Sequence, residues 1–348
     1  MSTQTLNTSR HIPVRPDWLA THKEEVIEPG LPIIDPHHHL WNHPGNGYLL
    51  PELLADVGSG HNIISTVFME CRSMYREGGD PDMAPVGETE FVNGIAAMSA
   101  SGGYGRTRIC EGIVGHANLT LGSKARQILE ALKVAGGGRF RGIRHITTWH
   151  ADPNAAISAI LAPPGTLETA AFREGFACLE PLGLSFDAWV YHTQLDELTG
   201  LARKFPGTTI VMNHVAGPIN VGPYAGKREE VFADWQAKVR TLATCPNVSM
   251  KLGGLGMRLF GFNFHEATKP PSSEQLAQAW RPYIEACIEA FGPNRCMFES
   301  NFPVDKGTCS YQVLWNAFKR ISAKASADEK AALYRKTAAR VYRLKAEA

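Results

Sequence analysis

Residues 34–41 read Ile34-Asp35-Pro36-His37-His38-His39-Leu40-Trp41, and this stretch decides how the rest of the chain is read. Ile33 and Ile34 look like the end of a short buried strand. Side chains alternate faces along a strand. His37 and His39 are therefore expected on one face and His38 on the other. Two imidazoles on one face at a strand's C-terminal end can hold one metal ion, or aim two donors at one oxygen. In a parallel barrel that end is the catalytic mouth. Three adjacent histidines can equally be an accidental polar loop, so the rest of the chain must agree.

Working outward, apolar strand-like runs alternate with helical patterns. Strands are expected near 32–37, 63–70, 108–115, 141–146, 184–190, 208–213, 247–252 and 295–299. Helices fit near 88–100, 123–135, 167–181, 194–204, 228–243, 274–290 and 310–321, with a last one from about 326 to 344. The first connection, around 50–58, holds at most a short helix. Eight strands with helical crossovers are the count for an α/β fold of the (β/α)8 TIM-barrel type. A doubly wound open sheet would want a Gly-rich turn after its first strand, and here three histidines stand there. Residues 1–30, with Pro13, Pro16 and Pro29, read as an N-terminal arm, and 31–348 as one barrel with its C-terminal helix. Two long insertions, 71–87 and 253–273, follow strands and are expected as lids over the mouth.

Composition narrows the function. The 348 residues are 44% hydrophobic and 20% charged, as in a folded globular enzyme. The formal net charge is +1 with no basic block, which argues against nucleic acid and for a small-molecule substrate. No apolar run approaches membrane-spanning length, and residues 1–21 lack the apolar core of a secretory signal. Seven scattered cysteines without a C-x-x-C pair read as free thiols in a reducing cytoplasm.

Polar residues gather at the strand ends. The first strand gives His37 and His39, the second Glu70 and Arg72, the third His116, and the fourth Arg144 and His145. Tyr191 and His192 follow the fifth, Asn213 and His214 the sixth, and Lys251 the seventh. The eighth gives Glu299, Asn301 and Asp305. The helical segments hold no histidine, which points to one shared site. Arg72 and Arg144 read either as carboxylate clamps or as ion-pair partners, Arg144 with Glu70. His116 and His145 read either as site residues or as rim histidines bonded to carbonyls. Lys251 reads as a neutraliser of a rim carboxylate, and Tyr191 as packing.

These pieces resemble the amidohydrolase superfamily, in its amidohydrolase-2 branch of TIM-barrel hydrolases, which includes pyrone-dicarboxylate and sugar lactonases. The matching segments are Asp35 to Trp41, His192-Thr193-Gln194-Leu195, Asn213 to Pro218, and Arg295 to Pro303, within roughly 31–345. The resemblance implies that the family's H-x-H pair falls on His37 and His39, its fifth-strand histidine on His192 and its sixth-strand histidine on His214. The family's eighth-strand aspartate falls on Asn301, which cannot take a proton. The nearest replacements are Asp305 and Glu299, with Asp305 the first choice of base. The bridging lysine of binuclear members has no counterpart on the fourth strand, which reads Gly142-Ile143-Arg144-His145.

Two readings of the centre stay open. In one, a single Zn²⁺ or Mn²⁺ sits on His37, His39 and one or both of His192 and His214. In the other the histidines hold the carbonyl directly and no metal is required. The expected catalytic residues are His37, His39, His192, His214 and Asp305, and the expected substrate-binding residues are Arg72, Arg144, His145 and Asn301. The resemblance implies hydrolysis of a small anionic lactone or related cyclic ester in catabolism, by a homodimer. A decarboxylase or hydratase of an unsaturated or aromatic acid, and a degenerate ligand-binding barrel, are the alternatives.

Overall fold

The computed structural model describes residues 11–43, 46–158 and 160–345. The first ten residues of the expected arm and the last three of the chain lie outside them. Ten strands are described: β1 (Pro32–His38), β2 (Trp41–His43), β3 (Asn46–Tyr48), β4 (Asn62–Met69), β5 (Arg108–Gly115), β6 (Phe140–Arg144), β7 (Ser185–Ala188), β8 (Ile210–Met212), β9 (Val248–Leu252) and β10 (Cys296–Phe298). Eight form one parallel sheet in the order β1-β4-β5-β6-β7-β8-β9-β10. The barrel closes beyond the regular strands. His39 N–H donates to the Phe302 carbonyl at 2.7 Å, and Asn301 N–H to the His37 carbonyl at 2.9 Å. Each expected strand is present, several of them shorter than expected. The antiparallel hairpin β2–β3 was not foreseen.

Strand alternation sorts the apolar residues into two layers. Ile33, Phe68, Ile113, Ile143, Phe186, Ile210 and Phe298 belong to the cluster shared with the helices. Ile34, Val67, Met69, Val114, Val211 and Met297 form a second cluster inside the barrel. Val341 and Tyr342 at the end of the C-terminal helix, and Leu344 just past it, join that inner cluster. Arg343 there donates to the Arg141 carbonyl at 2.9 Å, and the Lys345 N–H to Glu111 Oε1 at 3.1 Å. Residues 341–345 thus plug the floor of the barrel opposite the mouth. Fully burying a side chain of this size contributes on the order of 1.5–3 kcal/mol.

Two backbone irregularities aim the site. Asp35 pairs with Thr66 and His38 with Phe68, so β1 carries one residue more than its partner. Such a bulge reverses the alternation beyond it. Ile34 faces inward and Asp35 accepts from the helix residue Tyr311 at 2.9 Å. Without the bulge His37 would share the outer face of Asp35. With it, His37 and His39 face inward, and His38 faces outward to Thr66 Oγ1 at 2.9 Å. The second irregularity is a left-handed turn after β8, with φ of 53°, 44°, 61° and 54° at His214, Val215, Ala216 and Gly217. Non-glycine residues pay about 1–2 kcal/mol each for that conformation. The turn brings the His214 ring back over the mouth.

Among the described residues no helix is long and apolar enough to cross a membrane. All seven cysteines are free.

Candidate active site

The inner face continues past Met297 to Glu299, two residues on, as period two requires. Glu299 is fully buried and joins two histidines. Its Oε1 accepts from the His214 backbone N–H at 3.1 Å and lies 2.7 Å from His214 Nδ1. Its Oε2 lies 2.6 Å from His37 Nδ1 without hydrogen-bond alignment. The His37 ring packs on those of His214 and His39, with centroids 4.6 and 5.0 Å apart. His39 Nδ1 lies 2.9 Å from the Met69 carbonyl, which fixes the proton on Nδ1. Gly253 and Gly254, at the start of the 253–273 insertion, pack against this centre. A Cβ on Gly253 would strike Glu299, and one on Gly254, where φ is +71°, would strike the His214 ring.

Fixed charges surround the imidazoles. Lys251, from the inner face of β9, donates to Asp187 Oδ1 at 2.9 Å and approaches His37 Nδ1 at 3.3 Å. Arg144 approaches His37 Nε2 at 3.4 Å and pairs with Glu70 Oε1 at 2.7 Å. Its ion-pair role is therefore realised, and its other terminal nitrogen is bonded to the Glu70 carbonyl at 2.5 Å. Burial lowers the pKa of His37 well below the ordinary value, helped by the Lys251 charge. His39 is lowered likewise by burial and then by Arg144. Burial also lowers His214, against the opposing pull of Glu299. In all three, burial favours the neutral imidazole.

Of the residues expected to hold a metal, His37 and His214 come together with Glu299, and the His39 ring packs on His37. Among the described residues, the one group of three or more potential metal ligands is His37, His214 and Glu299. His192 is elsewhere. β7 ends at Ala188, and His192 falls in the turn beyond it, where alternation no longer applies. Its Nδ1 accepts from the Ile219 N–H at 3.2 Å, its ring packs on Tyr224, and Nε2 lies 3.9 Å from Asp234 on a surface helix. Trp189 takes the inward place instead, edge-on to His214 with centroids 4.7 Å apart.

The other expected residues divide. Asp305 Oδ1 accepts from the Asn301 side chain at 2.8 Å and Oδ2 from the Gly256 N–H at 2.9 Å. Burial pushes its pKa up to about 7. His145 Nδ1 accepts from the Leu119 N–H at 3.2 Å. Arg72 is exposed at the start of the 71–87 insertion, and its charge reaches His116 and His145. Sequence reasoning missed Asp187 altogether. Its signal was an acidic residue inside an apolar strand, Ser185-Phe186-Asp187-Ala188.

The donors suit one divalent ion. Two imidazoles and a carboxylate are the nitrogen and oxygen set that Zn²⁺ or Mn²⁺ accepts. Glu299 Oε2 and Asp187 Oδ2 are buried without a hydrogen-bond partner. The carboxylates of Glu70, Asp187 and Glu299 outnumber the cations Arg144 and Lys251 in the same buried cluster.

Comparison with known proteins places the fold and the chemistry together. An uncharacterised protein of Sinorhizobium fredii, y4mH, is 33% identical over 336 residues, covering 90% of this chain and 99% of its own length. An L-fucono-1,5-lactonase of Burkholderia multivorans is 25% identical over 323 residues, 89% of this chain and 96% of its own. The crystal structure of an amidohydrolase from Burkholderia multivorans with bound zinc superposes with a TM-score of 0.68 at 25% identity, covering 90% of this chain and 99% of that one. Residues 34–344 match the amidohydrolase family of the second type, so this chain is a hydrolase belonging to that family.

Proposed function

We propose that this chain hydrolyses a small lactone, with His214 as the general base. The observation that carries the reading is Glu299, which accepts from both the backbone and the ring of His214. With Nδ1–H held on that carboxylate, Nε2 keeps its lone pair and can take a proton from water. A carboxylate that orients an imidazole and stabilises its protonated form is a recurring arrangement for activating a nucleophile. His39 is likewise fixed on the Met69 carbonyl, which leaves its Nε2 available to the substrate. The buried cations Arg144 and Lys251 flank His37 and oppose the charge that develops on the carbonyl oxygen. Proton transfer from His214 then frees the alkoxide of the opened ring as a hydroxyl. A divalent ion held by His37, His214 and Glu299 would supply Lewis-acid polarisation of the carbonyl, and His214, then a ligand, would not also serve as the base. Arg72, exposed at the rim, suits an anionic substituent on the substrate.

The lactonase names of relatives support this choice over decarboxylation. The test is acid release from a panel of sugar lactones and carboxylated lactones, followed with a pH indicator, beside carbon dioxide release from carboxylated aromatics. Ring opening of at least one lactone that disappears in His214→Ala is expected. Carbon dioxide release without any lactone opening would replace this reading with the lyase one.

A further inference from the structure

Lys251 is fully buried, and its surroundings are more elaborate than a charge neutraliser needs. Asp187 Oδ1 accepts three donors: Lys251 Nζ at 2.9 Å, the Tyr342 hydroxyl at 2.7 Å and the Asn213 side chain at 3.1 Å. Tyr342 comes up from the C-terminal plug, and its ring lies 5.3 Å from the ammonium. The ammonium is therefore fixed from below. From that position it lies 3.3 Å from His37 Nδ1 and 4.0 Å from Glu299 Oε2, two of the donors that suit a metal ion.

We propose that Lys251, latched by Asp187 and Tyr342, is a built-in cation that competes with a divalent metal for His37 and Glu299. A zinc ion needs donors at about 2.0–2.2 Å. An ion seated on these donors would lie within a few ångströms of the ammonium, in a buried setting where like charges repel strongly. The ammonium is also only a donor, so it claims the Nδ1 lone pair that a metal would need. The carboxylate excess in the cluster attracts a cation, and Lys251 already supplies one at this point. Metal binding is thereby weakened without any donor being lost.

The test measures zinc affinity by equilibrium dialysis of chelator-stripped protein against zinc chloride, with thermal melting as the folding control. No substrate enters the measurement, so the outcome stands apart from the lactonase reading. Lys251→Met is expected to bind one zinc per chain at least tenfold more tightly than wild type. Tyr342→Phe, which loosens the latch, should fall between the two. Adding His214→Ala to Lys251→Met should abolish the gain. If Lys251→Met does not fold, Lys251→Met with Asp187→Asn, which removes the unpaired carboxylate too, carries the same expectation. A folded variant that binds zinc no more tightly than wild type overturns the proposal. So does a gain that survives His214→Ala, because the zinc would then lie elsewhere.

Discussion

The mouth of this barrel has two sectors that use histidine differently. Around β5, β6 and the turn after β7, the imidazoles serve the backbone. His116 Nδ1 lies 3.0 Å from the Arg144 carbonyl, and His145 and His192 accept from the N–H groups of Leu119 and Ile219. Around β1, β9 and β10, they meet charged side chains. The Glu299 carboxylate bonds His214 and lies against His37, and Lys251 and Arg144 stand at the two nitrogens of His37. A strand-end position alone therefore does not tell what a histidine does; its partners do. A backbone N–H partner occupies the ring lone pair, whereas a carboxylate partner fixes the tautomer and can stabilise a protonated ring.

The comparison can be broken at several points. The largest effect is expected for Glu299→Gln, which removes the anionic acceptor of His214. Turnover should fall by about a hundredfold or more, read as kcat on the best lactone. A loss within threefold would place the base elsewhere. Next comes the pH profile of the wild type. Burial lowers the His214 pKa from its ordinary 6.5, and in the proposed mechanism the neutral imidazole is the active form. The acidic limb of kcat should therefore lie below pH 6.5, with a plateau through neutrality. A limb above that value would point to an acid of raised pKa such as Asp305. For Asp305→Asn the effect should fall on stability. Both its oxygens accept, so an amide nitrogen there would face a donor, at about 1–3 kcal/mol. Denaturant unfolding should register that loss with kcat nearly unchanged. The smallest effect is expected in the backbone sector. His145→Gln keeps an acceptor for the Leu119 N–H and should cost about 1 kcal/mol or less. Its kcat should stay within about twofold of wild type.

The barrel was legible because its strands are short apolar runs separated by helical periods. Glu299 was legible too, since period two carries the inner face from Met297 to it. The partners of the remaining residues were not. The β1 bulge reverses alternation between Asp35 and His38, and no residue type announces it except Pro36. The H-x-H spacing survived because it lies beyond the bulge. His192, placed by resemblance, lies in the turn beyond Ala188, where β7 has ended and alternation no longer tells which way a side chain faces. His214 reaches the site through a left-handed turn that only Gly217 hints at. Lys251 was read as a rim residue, whereas its partner Asp187 lies on the inner face of β7 and Tyr342 lies some ninety residues further along the chain.

The most direct test sets the two sectors side by side. His214→Gln and His192→Gln are made in the same background, and kcat is measured for both on the same lactone with melting temperature as control. Glutamine offers Glu299 a donor at position 214 and the Ile219 N–H an acceptor at position 192, but takes no proton at neutral pH. We predict that His214→Gln loses about a hundredfold or more in turnover while His192→Gln stays within about threefold of wild type. Equal losses in the two folded variants, or the larger loss in His192→Gln, would contradict the assignment of the chemistry to the Glu299 sector.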